Sequence, residues 1–435
     1  MSVSKSTFAR LGVVLAGTSL VLTGCLSDGG DDTGGETGGG DPIEIVGAFS
    51  GTQQEGFEAD IAKISEETGI AIEYVSTDQF EVLIQSRVEG GNVPDIAIYP
   101  QPGLLLDMVG SGDIVALDDA GVDVEGILAG ALPGLSDTVT QDGTVYGLPY
   151  SFNAKSLVWY PSPEFEDAGY TDPTTHDELV ALSDQIKADG TTPWCFGVDV
   201  GWPGTDWLEE YVLRVGGPEV YDQWVSHEIP FNDPIIKEAA EKVGELLLAD
   251  GNVYGGLDGV AATTFDVAAN PLFDETPGCY LHRQGNFITS FFPEDVQADL
   301  TANTNLFLLP PVEGGFDGQP ILGGGDFMAL FSADNADAAT VLAAIASPDF
   351  GANSAQSGAW LSPYVEFDTS QYANETLTQI ADLATTADTF RFDGSDSMPG
   401  EVGNGTFWTG MVEWLSGQKD LDTVLDEIEA SWPAS

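Results

Sequence analysis

From residue 43 to residue 99 the sequence alternates short apolar runs with helix-patterned ones, and this alternation restricts the fold more than any other feature. Residues 43–46 are apolar and strand-length. A polar turn, Gly51-Thr52-Gln53-Gln54-Glu55, follows. Phe57, Ile61 and Ile64 then recur at helical spacing until Gly69, a residue suited to end a helix. Residues 70–75 alternate like a strand. Asp78 is placed to cap a second helix carrying Phe80, Leu83, Ile84 and Val88, which Gly90-Gly91 stops. Residues 95–99 are strand-like again. A β-α-β-α-β order predicts an α/β fold: a parallel or mixed sheet with helices on both faces.

The pattern resumes further on. Residues 145–148, 156–159, 307–309 and 327–331 are strand-like, and residues 177–188 read as a helix with Thr175 as its cap. Pro234 belongs in the first turn of a helix running to Leu248, capped by Asn232 or Asp233. The last hundred residues read mainly as helix. Residues 193–200 read as a strand that buries Trp194. Residues 201–207 (GWPGTDW) read as the loop leaving it, in which Pro203 and Gly204 set a turn that presents Trp202, Asp206 and Trp207. With 435 residues, 42% of them hydrophobic, the chain has material for two lobes.

The first 25 residues read as a targeting segment: Lys5 and Arg10, an apolar run over 11–22, then Leu22-Thr23-Gly24-Cys25. That ending resembles a bacterial lipobox, which implies that residues 1–24 are removed and Cys25 carries lipid. An ordinary signal peptide with a chance cysteine is the alternative. Residues 27–41, built of Gly, Asp, Glu, Ser and Thr, suit a flexible tether, and the linker is set at 25–41. Export leaves Cys195 and Cys279 in an oxidising compartment, where a disulfide is the leading reading and two buried thiols the alternative. Such a bond stabilises by about 4 kcal/mol in the chain-entropy account. His176, His227 and His282 fit no zinc-ligand spacing, so neither a metal nor a cofactor is expected.

Several runs resemble the extracellular solute-binding proteins of carbohydrate ABC importers, related to the maltodextrin-binding proteins. They are GGNVPDIA at 90–97 and YGLPYSFNAK at 146–155. Three further runs are similar to the α-glucoside-binding branch: GWPGTDW at 201–207, GCYLHRQ at 278–284, and FRFDGSDSMP with TFWTGM at 390–399 and 406–411. The resemblance implies the two-lobe periplasmic-binding-protein-like fold, with a ligand cleft between lobes that close by hinge motion. Three crossing segments are expected, near 150–153, 321–326 and 361–365. The amino-terminal lobe would comprise 42–151 with 324–363, and the carboxy-terminal lobe 152–323 with 364–435.

A sugar presents apolar C–H faces and a rim of hydroxyls, so its site needs aromatic platforms and paired polar groups. By position in the family, the polar candidates are Gln53, Gln54 and Glu55, then Asp78, Gln101 and Asn153. Several relatives carry an acid where this chain has Asn153, which leaves open which hydroxyls are read there. Trp202, Trp207, Trp360 and Trp408 are the stacking candidates, two of which are expected to face the cleft. Tyr150 and Asp206 lie in the matching motifs, and Asp326 ends the expected crossing at 321–326. Gly325, in Gly323-Gly324-Gly325, suits a hinge or a close backbone approach. Arg283 and Arg391 lie in motif loops, where a guanidinium grips adjacent hydroxyls or a carboxylate.

The leading function is therefore a lipid-anchored, monomeric receptor on the outer face of the cell membrane. It would capture an α-glucoside-type disaccharide or oligosaccharide and deliver it to the permease of an ABC importer. A non-sugar solute (polyol, peptide or metal chelate) is the runner-up. A secreted glycosidase is the enzyme reading, but no hydrolase motif supports it and 71 acids make any carboxylate pair uninformative.

All 71 acidic residues follow Cys25 but only 10 of the 12 basic ones do, an excess of 61 negative charges. Repulsion excludes nucleic acid and anionic surfaces as partners and disfavours anionic ligands. Self-repulsion on this scale calls for screening, and at molar salt the Debye length falls to about 3 Å. The expected outcome is loss of the fold in dilute buffer and its recovery in molar NaCl, followed by circular dichroism. Full stability in dilute buffer would refute a salt-rich habitat.

Overall fold

The computed structural model describes residues 41–433, apart from Asp78 and Pro133. The targeting segment, Cys25 and the tether up to residue 40 lie outside the described residues, as does the candidate Asp78. Ile43–Gly47 (β1) pairs in parallel with Ile72–Ser76 (β2) on one side and Ile96–Tyr99 (β3) on the other, placing Ile45 opposite both Tyr74 and Ile96. The crossovers are Gly51–Thr68 (α1), which buries Phe57, Ile61 and Ile64, and Phe80–Glu89 (α2), which buries Phe80 and Ile84. The period-based reading of these elements holds, because each apolar stripe meets the sheet it was spaced to cover. Pro102–Ser111 (α3) follows β3.

Nine further strands complete the structure. Thr140–Gln141 (β4) and Thr144–Val145 (β5) form a small hairpin. Then come Leu148–Ala154 (β6), Leu157–Pro161 (β7), Thr192–Trp194 (β8), Cys279–Arg283 (β9), Thr304–Leu308 (β10), Pro320–Leu330 (β11) and Thr389–Phe392 (β12). The first sheet runs β12-β11-β3-β1-β2, with β6 also on β11. The second runs β10-β7-β9-β8. The chain passes from one sheet to the other between β6 and β7. It returns through β11, which is antiparallel to both β6 and β3. Residues 361–364 run beside these strands: the Phe152 amide donates to the Leu361 carbonyl (3.2 Å) and the Leu132 amide to that of Pro363 (2.8 Å). Gly325 sits opposite Phe152 in this ladder, and a Cβ there would run into the Ser151 carbonyl. Its missing side chain serves strand approach.

The second sheet is backed by three helices, Trp202–Val225, Pro234–Leu247 and Trp408–Leu415. Asp233 caps the second of these, its carboxylate accepting from the Ile235 amide, and Pro234 occupies the first turn. Trp194, Trp207, Tyr211 and Trp224 form their shared core. Two corrections to the sequence reading arise here. The strand expected over 193–200 ends at Trp194, and residues 201–207 are the start of a helix. Gly201 has φ 87°, and any side chain on it would collide with Trp408; Pro203 then occupies the first helical turn. Pro and Gly mark turns and helix starts alike, and the turn was the wrong choice. The helix carries Trp207 inward, 1% exposed, with its ring edge-on to Trp194 at 5.2 Å.

Cys195 and Cys279 form a disulfide with a Cα–Cα distance of 5.5 Å, tying the end of β8 to the start of its parallel partner β9. Trp207→Ala is expected to destabilise the fold by about 3–5 kcal/mol, the cost of truncating a fully buried indole. The urea midpoint measures this, and a shift no larger than that of a surface variant would show that the ring is not core.

Candidate functional site

Where β6 and β11 cross between the sheets they wall a cavity of about 230 Å³. Its faces are aromatic. Phe49 follows β1 and is held by its amide, which donates to Tyr74 Oη (2.9 Å). Tyr150, on β6, stands 4.9 Å from Phe49 and 6.0 Å from Trp360, centroid to centroid. Phe287 enters from the turn Asn286–Phe291. The buried Asn286 joins three wall segments: its Oδ1 accepts from the Ala154 amide (2.9 Å), and its Nδ2 donates to the Ala359 carbonyl (2.9 Å). Asp60 on α1 accepts from the Asn353 and Ser354 amides (3.0 and 2.8 Å), fixing the segment that leads to Trp360.

Polar groups point into this aromatic box. Gln53, Asn153 and Asp326 line it. Ser151 donates to the Asp326 carboxylate, yet desolvation by the surrounding wall pushes that carboxyl up to about 6. Trp360 is 6% exposed, and among the described residues its Nε1–H finds no acceptor. A buried donor without a partner costs about 1–3 kcal/mol.

A second cavity, of about 840 Å³, opens between the head of α3 and the segment after β12. Gln101, Gln85, Asp107, Asp396, Asn404 and Trp408 are among its lining. Gln101 Oε1 is buried and has no donor among the described residues. Trp408 is held from behind by Gly201 and through Nε1 to Ser395 Oγ (3.4 Å). Trp202 is half-buried, 6.0 Å from the Phe287 ring and with Lys155 Nζ 5.3 Å from its own centroid. That is cation–π geometry.

Beneath this wall lies a buried ion cluster. Lys155 Nζ pairs with Asp206 (3.1 Å) and with Asp393. Arg283 bridges Asp206 (3.2 Å) to Glu210 (3.1 Å), and Glu210 also pairs with Arg214. Glu209 accepts from the Gly394 and Ser395 amides (2.6 and 3.1 Å) and from Tyr221 Oη (2.9 Å). Burial, then neighbouring acids, hold Glu209 and Asp396 well above the usual carboxylate range. Burial also lifts Asp206, to about 6, against the pull of Lys155. Burial acts to raise Asp393 too, but Lys155 and hydrogen bonds from its neighbours hold it below the usual range.

The structure thus brings together Gln53, Tyr150, Asn153, Asp326 and Trp360 at one cavity, and Gln101 and Trp408 at the other, while Trp202, packed near Phe287, lines neither. It does not bring the remaining candidates to either. Asp206, Trp207 and Arg283 are 0%, 1% and 3% exposed, enclosed in the ion cluster and the core. Arg391 forms a forked pair with Asp222 (2.6 and 2.9 Å) on the protein surface. Gln54 donates to Glu58 (2.7 Å) one turn further along α1, and Glu55 is exposed on the same helix. Phe49, Ser151, Phe287 and Ser354 line the first cavity without having been singled out. The only signal for the phenylalanines was an aromatic next to a strand or turn, which core packing produces equally.

Residues 50–349 match the family of bacterial extracellular solute-binding proteins. The osmoprotective compounds-binding protein GgtB of Synechocystis sp. is 40% identical over 420 residues, 95% of this chain and 97% of that protein. The alpha-glucosides-binding periplasmic protein AglE of Rhizobium meliloti is 38% identical over 403 residues, 90% of this chain and 87% of that protein. Among solved structures, the cyclic alpha-maltosyl-1,6-maltose binding protein of Arthrobacter globiformis superposes with a TM-score of 0.70. It is 18% identical, covering 90% of this chain and 98% of that one.

Lys155→Met would leave Asp206 and Asp393 buried without their shared ammonium. The expected loss is about 3–5 kcal/mol near pH 7. Without Lys155 both acids titrate higher in the folded state than in the unfolded one, a penalty complete at high pH and absent below the unfolded value. The gap between variant and wild type should therefore narrow as pH falls from 7 to 4. Denaturant melts across that range check it; a gap independent of pH would remove the cluster's electrostatic role.

Proposed function

The chain belongs to the bacterial extracellular solute-binding proteins, and from that membership we propose that it captures an α-glucoside-type disaccharide or oligosaccharide for an ABC importer. Proteins of this kind bind small molecules outside the cytoplasm and deliver them to permeases, and the family is not one of enzymes. The carrying observation is the cavity at the β6–β11 crossing, where the aromatic residues Phe49, Tyr150, Phe287 and Trp360 stand together with Gln53, Asn153 and Asp326. Aromatic faces take the C–H surface of a pyranose, and Asp326, Asn153, Gln53 and the Trp360 N–H take its hydroxyls. The second cavity, with Gln101 and Trp408, takes the rest of the molecule. The name of AglE supports the glucoside, and that of GgtB supports a second reading, a small non-sugar osmoprotectant such as a polyol.

In this reading the lobes divide at 151/152, 323/324 and 363/364 and close on the sugar by hinge motion. Asp206, Trp207 and Arg283 support the site from beneath, and Arg391, Gln54 and Glu55 stay outside it. Asp78 is retained as a candidate. The protein is a monomer, lipid-anchored through Cys25 on the outer face of the membrane, and it leaves its ligand chemically unchanged.

Titration calorimetry in molar salt with trehalose, maltose, sucrose and polyols is the direct test. At least one α-glucoside should bind. Trp360→Phe keeps the ring but loses the N–H, and should weaken binding about two- to tenfold. Sugar hydroxyls donate to the ionised form of Asp326 and so lower its pKa on binding. Affinity should therefore be full above pH 7 and decline as pH drops through about 6, a dependence that Asp326→Asn abolishes. Failure of every sugar to bind would overturn the assignment.

A further inference from the structure

The exterior of this chain is acidic, and an apolar patch on it is therefore conspicuous. Seven large hydrophobic residues are exposed among the described residues, and three lie on segments that meet: Val200 (42%), Val267 (44%) and Phe291 (43%). That meeting follows from the fold. The loop after β8 docks on residue 263 through the Asp199 amide, which donates to the Thr263 carbonyl (3.4 Å). The short helix Phe265–Ala268 begins two residues later and carries Val267. Phe265 faces Phe291 at 5.3 Å, edge to face.

The patch is continuous with the cleft wall. Phe265 stands 5.0 Å from Trp202, and Trp202 stands 6.0 Å from Phe287, which lines the first cavity. Phe291 ends the same turn that begins beside Phe287. An unbroken file of rings therefore runs outward from the cleft: Phe287, Trp202, Phe265, Phe291. Core packing accounts for the first members, whereas Phe291 is left 43% exposed. The charges that flank these residues in sequence, Asp199, Asp266, Glu294 and Asp295, are all acidic and offer an anionic partner nothing. Stacking rings at the mouth of a sugar cleft suit one occupant, a pyranose face.

Resting on the glucoside reading above, we propose that Phe265 and Phe291, flanked by Val200 and Val267, form an outer stacking subsite. It takes an additional glycosyl unit of an oligosaccharide whose first units fill the cleft. The occupant is a neutral sugar ring joined to the bound ligand, held by C–H contact with the Phe291 face and by few hydrogen bonds. The site then adds affinity for length while leaving the choice of inner sugar to the cleft.

The test is calorimetry with maltose, maltotriose and maltotetraose on wild type and Phe291→Ala, both checked for equal melting temperature. In wild type, affinity should rise about two- to tenfold from the disaccharide to a longer member, the size of one aromatic contact. Phe291→Ala should abolish that rise and leave maltose unchanged. Equal affinity for all three sugars in wild type overturns the proposal, as does a variant that keeps the rise. Binding of trehalose or sucrose with no binding of the longer sugars overturns it while sparing the glucoside reading. Absence of binding by any sugar overturns both. Normal binding of every sugar by Phe291→Ala with loss of importer-dependent uptake would reassign the patch to a protein partner.

Discussion

The ammonium of Lys155 sits where the chain leaves the first sheet for the second, and its two carboxylate partners come from distant elements. Asp206 is on the helix Trp202–Val225 and Asp393 follows β12. A charge buried without a partner costs several kcal/mol, so these three elements must arrive together or not at all. From Asp206 the pairing passes to Arg283 on β9, then to Glu210 and Arg214, which donates to the Leu309 carbonyl at the exit of β10 (2.7 Å). One cluster thereby sets the register of the second sheet against its main helix. It also anchors the segment that leads to Trp408, because Glu209 holds the Gly394 and Ser395 amides. The floor on which Trp202 and Trp408 stand is electrostatic, while the surfaces they present are apolar.

That arrangement explains which parts of the molecule were legible in the sequence. The elements of residues 43–99 follow from periodicity, since each helix buries a stripe against strands that are near in sequence. The start of the helix at Trp202 was not legible, because Gly201, Pro203 and Gly204 satisfy a turn and a helix start equally. The error mattered for the tryptophans. Five positions apart on a helix, Trp202 and Trp207 project about 140° from each other, one toward the cleft and the other into the core. A loop carries no such rule. The scarce basic residues did prove to have definite partners, but Arg283 and Arg391 grip carboxylates of this chain. In a sequence this acidic, an internal carboxylate is the partner most often in reach.

The first cavity was legible as a set of positions and not as a shape. Tyr150, Asn153, Asp326 and Trp360 come from three segments far apart in the chain, each a candidate on its own and none marked as a neighbour of the others. What gathers them is Asn286, whose amide side chain ties β6 to the segment before Trp360 and brings Phe287 along. Nothing in the local sequence marks that asparagine. Its effect depends on a contact 132 residues away, a separation at which pattern reading is blind.

The charge of the chain also bears on the kind of ligand the cleft selects. Among the described residues no lysine, arginine or histidine lines either cavity, whereas Asp326 lines the first and Glu81, Asp107, Asp396 and Glu401 line the second. An anion would meet acidic linings there, on top of the field of 61 excess negative charges. A ligand recognised by ion pairing would also lose affinity in the molar salt that such an exterior calls for, since screening then reaches within about 3 Å. Stacking and hydrogen bonding to a neutral polyhydroxyl molecule depend little on ionic strength. On the salt-rich reading of the acidic coat, the proposed neutral ligand and the surface charge answer one constraint: recognition in the cleft that high salt does not erase.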